Sequence, residues 1–197
     1  MKLYHGSVSV VNMPEFGVGN RRNDYGQGFY CTEHIELAKE WACFSGKDGF
    51  VNCYNLGLEG LAVFDLTRCH ILNWMAILLE NRTFDLSAGL SSVAKDYILE
   101  TFLPDYKRYD VIRGYRADDS YFSFAKDFLN NTISIEDLFE AMKLGKLGEQ
   151  VVLKSQRAFN ALSFEASLPV DSSVYYLKWK RRDQIARNDY KVIKEKS

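Results

Sequence analysis

Two short segments near the N-terminus carry side chains suited to holding a small, polar, aromatic molecule: Tyr4-His5-Gly6-Ser7 and Gly28-Phe29-Tyr30-Cys31-Thr32-Glu33. An imidazole such as that of His5 can bond a sugar hydroxyl. The glycine after it has no Cβ, so its backbone stays open to a close-lying amide. Tyr30 offers a flat face on which an aromatic ring can stack. Singly, a histidine is more often a satisfied structural group and a strand tyrosine a core residue. The pairing of the two segments is what points to a site.

The elements that must position them are legible from periodicity. Alternation in Lys2-Leu3-Tyr4-His5 and in Phe29-Tyr30-Cys31-Thr32 predicts two short strands. Between them lies a polar, Gly-rich loop with Arg21, Arg22, Asn23 and Asp24. Guanidinium forks suit phosphate oxygens, so Arg21, Arg22 and Asn23 are candidates for holding an anionic group, and equally for solvated loop residues. Thr32 is placed to cap a helix, with Glu33 and Glu36 near its positive end and Ile35, Ala38, Trp41 and Ala42 as its apolar face. Strands are expected around Phe50 to Leu56 and Leu61 to Leu66, joined by a turn at Gly57 to Gly60.

From Ile71 to about Leu103 the pattern is helical, with Trp74, Ile77, Leu78, Val93, Tyr97 and Ile98 at helix spacing. Asp110 to Tyr115 reads as a strand running into Arg116-Ala117-Asp118-Asp119. The two aspartates open a helix that they can cap, an acceptor-site role for Asp118 being the alternative. Ser134 and Asp137 form a capping-box-like start, with Ile135, Leu138, Phe139 and Met142 as the buried stripe and Gly145 and Gly148 as the stop. Further strands are expected at Gln150 to Lys154 and Leu162 to Leu168. Strands interrupted by blocks of helices predict an α+β fold rather than a regular βαβ repeat.

The 197 residues suit one domain with a substantial core, and 47% hydrophobic with 26% charged residues is an ordinary globular composition. A formal charge of −1 supplies no global field for holding a polyanion. No apolar leader or membrane-length run is present, so a cytoplasmic protein without membrane contact is expected. The four cysteines lie far apart with no Cys-x-x-Cys pair, so no metal is expected, and Cys69-His70 reads as a buried thiol beside a turn histidine. Residues 171–197 hold eight Lys or Arg against four Asp or Glu. They read as a basic C-terminal helix or tail, packed on the domain formed by 1–170 or extending from it. A contact surface for RNA or an acidic protein is the less favoured reading.

The N-terminal pair resembles the first two motifs of the His-Tyr-Glu class of ADP-ribosyltransferases, the group of diphtheria toxin and the poly(ADP-ribose) polymerases. Asn23-Asp24-Tyr25-Gly26-Gln27-Gly28-Phe29-Tyr30 resembles the loop-and-strand signature of a bacterial branch of that class. Gln150, in Gly148-Glu149-Gln150-Val151-Val152, stands where the class usually has its glutamate. The likeness implies a split β-sheet core with inserted helices, and NAD as substrate with no metal. His5 would orient the ribose, Tyr30 would stack the nicotinamide and Gln150 would position the 2′-hydroxyl. His5, Gly6, Ser7, Arg21, Asn23, Gly28 and Tyr30 would bind the dinucleotide.

The activity implied is mono-ADP-ribosylation of a protein or nucleic-acid acceptor. By analogy with bacterial relatives it would serve a toxin or effector, held in check by a small inhibitory partner protein. A glutamine at position 150 keeps the geometry of the glutamate and gives up its charge, which weakens stabilisation of a cationic ribose. That makes a catalytically silent NAD or ADP-ribose module the opposing expectation, with an NAD glycohydrolase as a third. Returning the glutamate is expected to preserve or raise turnover, unless the amide donates a bond that a carboxylate would lose. Glu149 carries a charge next door, but adjacent strand residues face opposite ways, so only one of the two can face a cleft.

Overall fold

The computed structural model describes residues 1–43, 46–84, 90–117, 119–142, 144 and 149–196. Strand β1 (Lys2–Ser7) pairs antiparallel with β3 (Gly49–Leu56), and β3 pairs antiparallel with β7 (Leu162–Val170), giving a three-stranded sheet in the order β1-β3-β7. A second sheet runs β2 (Phe29–Cys31), β6 (Glu149–Leu153), β5 (Val111–Tyr115), β4 (Val63–Asp65). Its β4–β5 pair is parallel and its other pairs antiparallel. Among the described residues one backbone bridge joins the two sheets, where Tyr4 N donates to Thr32 O at 2.8 Å and Thr32 N to Tyr4 O at 2.9 Å.

Three apolar clusters hold these layers. Helix α1 (Ile35–Ala42) lays Ala38 and Ala42 against Val51 and Cys53 of the first sheet. Leu3, Cys31, Leu56, Val151 and Leu153 fill the space between the sheets. The largest cluster joins Ile112 and Val152 of the second sheet to helix α2 (Ile71–Asn81), in which eight residues are buried. Helices α3 (Leu90–Phe102), α4 (Asp119–Leu129) and α5 (Ile135–Ala141) complete that side. Short α6 (Gln156–Asn160) leads into β7, and α7 (Ser172–Lys194) packs on α1, α4 and α5. The fold is α+β.

Several local expectations hold and several are corrected. Ser134 and Asp137 make both bonds of a capping box at α5. Leu138 and Met142 are buried there, while Phe139 is exposed. In α3 Ile98 is buried, whereas Val93 and Tyr97 face solvent. The strands expected at Phe50 to Leu56 and Leu61 to Leu66 form as β3 and as the shorter β4, and they join different sheets. Ala62 N bonds Asp110 Oδ2 and the Ala62 carbonyl accepts from Asp110 N, which carries the next strand to β5 in the other sheet. His34 rather than Thr32 is the N-cap position of α1, because the bridge to Tyr4 holds Thr32 in extended pairing. The Thr32 hydroxyl accepts from His34 N and donates to Glu149 O. Asp118, Gly145 and Gly148 lie outside the described residues.

Candidate functional site

A cleft of about 580 Å³ opens where the two sheets meet, and His5, Tyr30 and Gln150 all line it. Register brings them there. Tyr30 sits opposite Val152 on β6, two residues from Gln150, so both side chains lie on one face of the second sheet. Glu149, on the other face, forms an ion pair at 2.5 Å with Arg113. Alternation therefore assigns Gln150, and not Glu149, to the cleft.

His5 Nδ1 lies 2.7 Å from the Tyr30 carbonyl oxygen, an acceptor only. Burial pulls the imidazole below its ordinary 6.5 against the raising effect of that bond, so the native ring is neutral. A neutral ring that donates from Nδ1 keeps Nε2 as an acceptor, the form needed to bond a hydroxyl. The Tyr30 hydroxyl donates to Gly26 O at 2.6 Å and accepts from Tyr25 N at 3.0 Å. Burial pushes its pKa up, so it stays a phenol and offers its ring face rather than a proton.

The loop before β2 is tied down by side chains. Lys154 Nζ bonds the Tyr25 and Gln27 carbonyls, and burial lowers its pKa to about 8. Gly26 turns with φ +72°, and a side chain there would meet Asn81 Oδ1 at 2.5 Å. The same loop brings Asp24 into the cleft wall, buried at 6% exposure. Its carboxylate accepts from Arg82 Nη1 at 2.8 Å, Ala117 N at 2.9 Å and Gln150 Nε2 at 3.1 Å.

The other predicted binders divide. Asn23 lines this cleft, and also a second cavity of about 560 Å³ that shares His5 and Tyr30 with it and reaches Gly28 and Phe29. Phe29 is half-buried, its ring centroid 4.5 Å from that of His5. Gly6 lines the cleft, but its missing Cβ serves packing as well: one built there would collide with the Ala38 carbonyl and lie 2.6 Å from Ala42 N. Ser7 lines neither cavity; its hydroxyl donates to Ser9 O and accepts from Asn52 Nδ2. Arg21 and Arg22 are exposed and line neither, because their loop turns them outward.

The cationic groups of the cleft come from elsewhere: Arg82 after α2, Arg116 after β5 and Arg187 on α7. Arg116 lies over the Trp41 ring at 4.6 Å, and the buried Trp41 indole N–H has no hydrogen-bond partner among the described residues. Trp179 and Asp183 of α7 stand in the same wall, with Asp183 accepting from Arg187 Nε at 2.8 Å. A neutral histidine acceptor with three guanidinium groups, two of them paired with the carboxylates of Asp24 and Asp183, around one aromatic-lined space can hold a ligand that carries hydroxyls, a flat ring and anionic oxygens. Cys69 and His70 serve structure: His70 Nδ1 accepts from Leu72 N at the start of α2, and the Cys69 thiol donates to Asp65 O. Among the described residues no three His, Cys, Asp or Glu side chains gather as a metal site, and no helix is long and apolar enough to cross a membrane.

No curated protein and no solved structure matches the chain. Residues 1–164 match a family model described as Protein of unknown function (DUF3990), and the chain belongs to that family.

Proposed function

We propose that the protein is a mono-ADP-ribosyltransferase that uses NAD to modify a macromolecular acceptor. The observation that carries this reading is the convergence of His5, Tyr30 and Gln150 on one cleft. In the proposed complex the nicotinamide ring stacks on Tyr30 and His5 Nε2 accepts from a ribose hydroxyl. The cleft arginines face the pyrophosphate. The adjoining cavity, sharing His5, Asn23 and Tyr30, gives room for the second half of a dinucleotide. The division of strands into two sheets fits the split core expected of the class.

In the reaction the bond between ribose C1′ and the nicotinamide nitrogen breaks. Its electron pair leaves with nicotinamide, which becomes neutral, and the ribose passes through a cationic state. An oxygen or nitrogen of the acceptor then bonds C1′ and gives its proton to solvent. The protein's part is to hold the nicotinamide and ribose rigidly and keep water from C1′. A toxin or effector role in the cytoplasm, restrained by a small inhibitory partner, belongs to the same proposal by analogy alone.

The test is incubation with labelled NAD and a cell lysate, followed by protease or nuclease digestion of the labelled product. Label released by protease identifies a protein acceptor, and label released by nuclease a nucleic acid. Free ADP-ribose means hydrolysis, and NAD binding without turnover leaves a silent binding module.

A further inference from the structure

Gln150 spends both N–H bonds of its amide inside the protein, one on Asp24 Oδ2 at 3.1 Å and one on the Tyr115 carbonyl at 3.2 Å. Both partners are acceptors. The amide must therefore turn its nitrogen toward them, which leaves Oε1 as the atom with which it can bond a ligand. Tyr115 O is itself held in place, accepting from Tyr25 Oη at 2.6 Å and Trp74 Nε1 at 3.1 Å. A carboxylate at position 150 would bring anionic oxygens to a place already occupied by two acceptors, one of them charged. The surroundings select an amide.

Asp24 accepts from three donors, one of them the Arg82 guanidinium, which is the bonding of a carboxylate. Burial pushes that carboxyl above its ordinary range, against the bonds from Ala117 and Gln150 and the charges of Arg82 and Arg116. A carboxyl whose burial opposes its ion pair, in the wall of a cleft, is a candidate for a working group.

We propose that Asp24 is a positioning residue of the cleft, locking the Gln150 amide so that Oε1 faces the ribose 2′-hydroxyl and lending, through that amide, the negative charge that a glutamate would carry itself. Gln150 is then half of a two-residue device and not a weakened glutamate. The inference rests on the NAD reading for the identity of the ligand, whereas the pairing of the two side chains does not depend on it.

Three variants of the full chain test both parts: Gln150→Glu, Asp24→Asn, and the double variant that exchanges amide and carboxylate. Thermal unfolding without ligand tests the pairing. Gln150→Glu should lower Tm near pH 8 and regain much of the loss near pH 5, where two adjacent carboxyls share a proton. The double variant should regain part of that loss, the Tyr115 carbonyl and the Ala117 N–H still opposing the exchanged groups. A Gln150→Glu variant as stable as the parent at both pH values overturns the pairing.

Nicotinamide release and NAD binding test the role. Asp24→Asn sets an amide nitrogen against Arg82 or against the Ala117 and Gln150 donors, so Tm should fall, and per folded molecule kcat should drop at least about tenfold while KM changes less than about threefold. The double variant should recover part of that turnover. A rise in KM at unchanged kcat, or a loss of turnover matched by loss of folded protein, rejects positioning by Asp24. If the parent neither binds NAD nor releases nicotinamide while the unfolding results come out as stated, the NAD reading fails, and the role toward ribose with it, and the pairing stands.

Discussion

His5, Tyr30 and Gln150 reach the cleft from strands, whereas Trp179, Asp183 and Arg187 reach it from α7, and the two groups are held by different forces. The strand residues are fixed by backbone ladders whose register cannot slip by one position without turning every side chain to the other face. All three lie within the region matched by the family model, which ends before α7. The helix is attached through side chains. Tyr190 stacks on Phe124 at 3.9 Å and Ala186 is buried, Arg182 pairs with the buried Glu40 at 2.6 Å, and two exposed lysines pair with Glu36 and Asp127. One wall is therefore set by the sheet topology. The other can change its side chains, and with them the ligands it admits, without disturbing a strand.

The contrast can be broken first at Gly6, where β1 and α1 touch backbone to backbone. Gly6→Ala should cost about 3 kcal/mol, the upper end of ordinary overpacking, and lower Tm by roughly 10 °C. A variant that unfolds at the parent's temperature would show that α1 can move away from β1. Next in size is the ligand effect. NAD at about one hundred times its Kd should stabilise the parent by roughly 2.7 kcal/mol. His5→Ala and Tyr30→Ala should remove most of that shift, and Arg187→Ala only part of it. An Arg187 variant as deficient as His5→Ala would make the two walls equal partners in binding.

The attachment of α7 gives the next pair of measurements. Arg182→Ala strands the Glu40 carboxylate and should cost about 2 kcal/mol, whereas Lys178→Ala removes a solvent-screened pair and should cost less than about 0.5 kcal/mol. Equal costs from urea unfolding would contradict attachment through the buried pair. The smallest effect is titration of His5. Its pKa is depressed in the folded state, so below about pH 6.5 the unfolded chain takes up a proton that the native ring does not. That contribution to stability is present above the ordinary histidine range and is lost as the pH falls toward the native pKa. His5→Asn should flatten the decline in Tm between about pH 7 and pH 5 by a few degrees. An unchanged slope would place its origin in other groups.

What the sequence made legible follows from local physics. Strand alternation predicts β1, β2, β5 and β6 to within a residue or two, and the same period of two decides between Glu149 and Gln150. The Ser134 capping box is also local. What could not be read depends on distant packing. Arg82 follows α2 and meets Asp24 across 58 residues of chain, so no spacing announces the pair. Arg21 and Arg22 have the right chemistry close to the motif, yet their loop faces outward. Asp24 offered one signal, an acidic residue inside the very segment that carries the family likeness. Its importance emerges only when burial and the Gln150 bond are seen together. The destination of β4 depends on distant packing too: consecutive strands usually pair, and here Asp110 ties the start of this one to the other sheet.

The backbone bridge between the sheets gives the cleft a mechanical property. His5 belongs to one sheet and Tyr30 to the other, and at the cleft end of the apolar seam they are joined by the two Tyr4–Thr32 backbone bonds and the His5–Tyr30 contact. A molecule gripped by both residues acts as a rivet through that seam. Its binding energy then opposes every fluctuation that parts the sheets, so the amide hydrogens of Tyr4 and Thr32 exchange with solvent more slowly when the cleft is filled. Two backbone protons that touch no ligand thus become a gauge of occupancy, and any effector that prises the sheets apart would empty the cleft without competing for it.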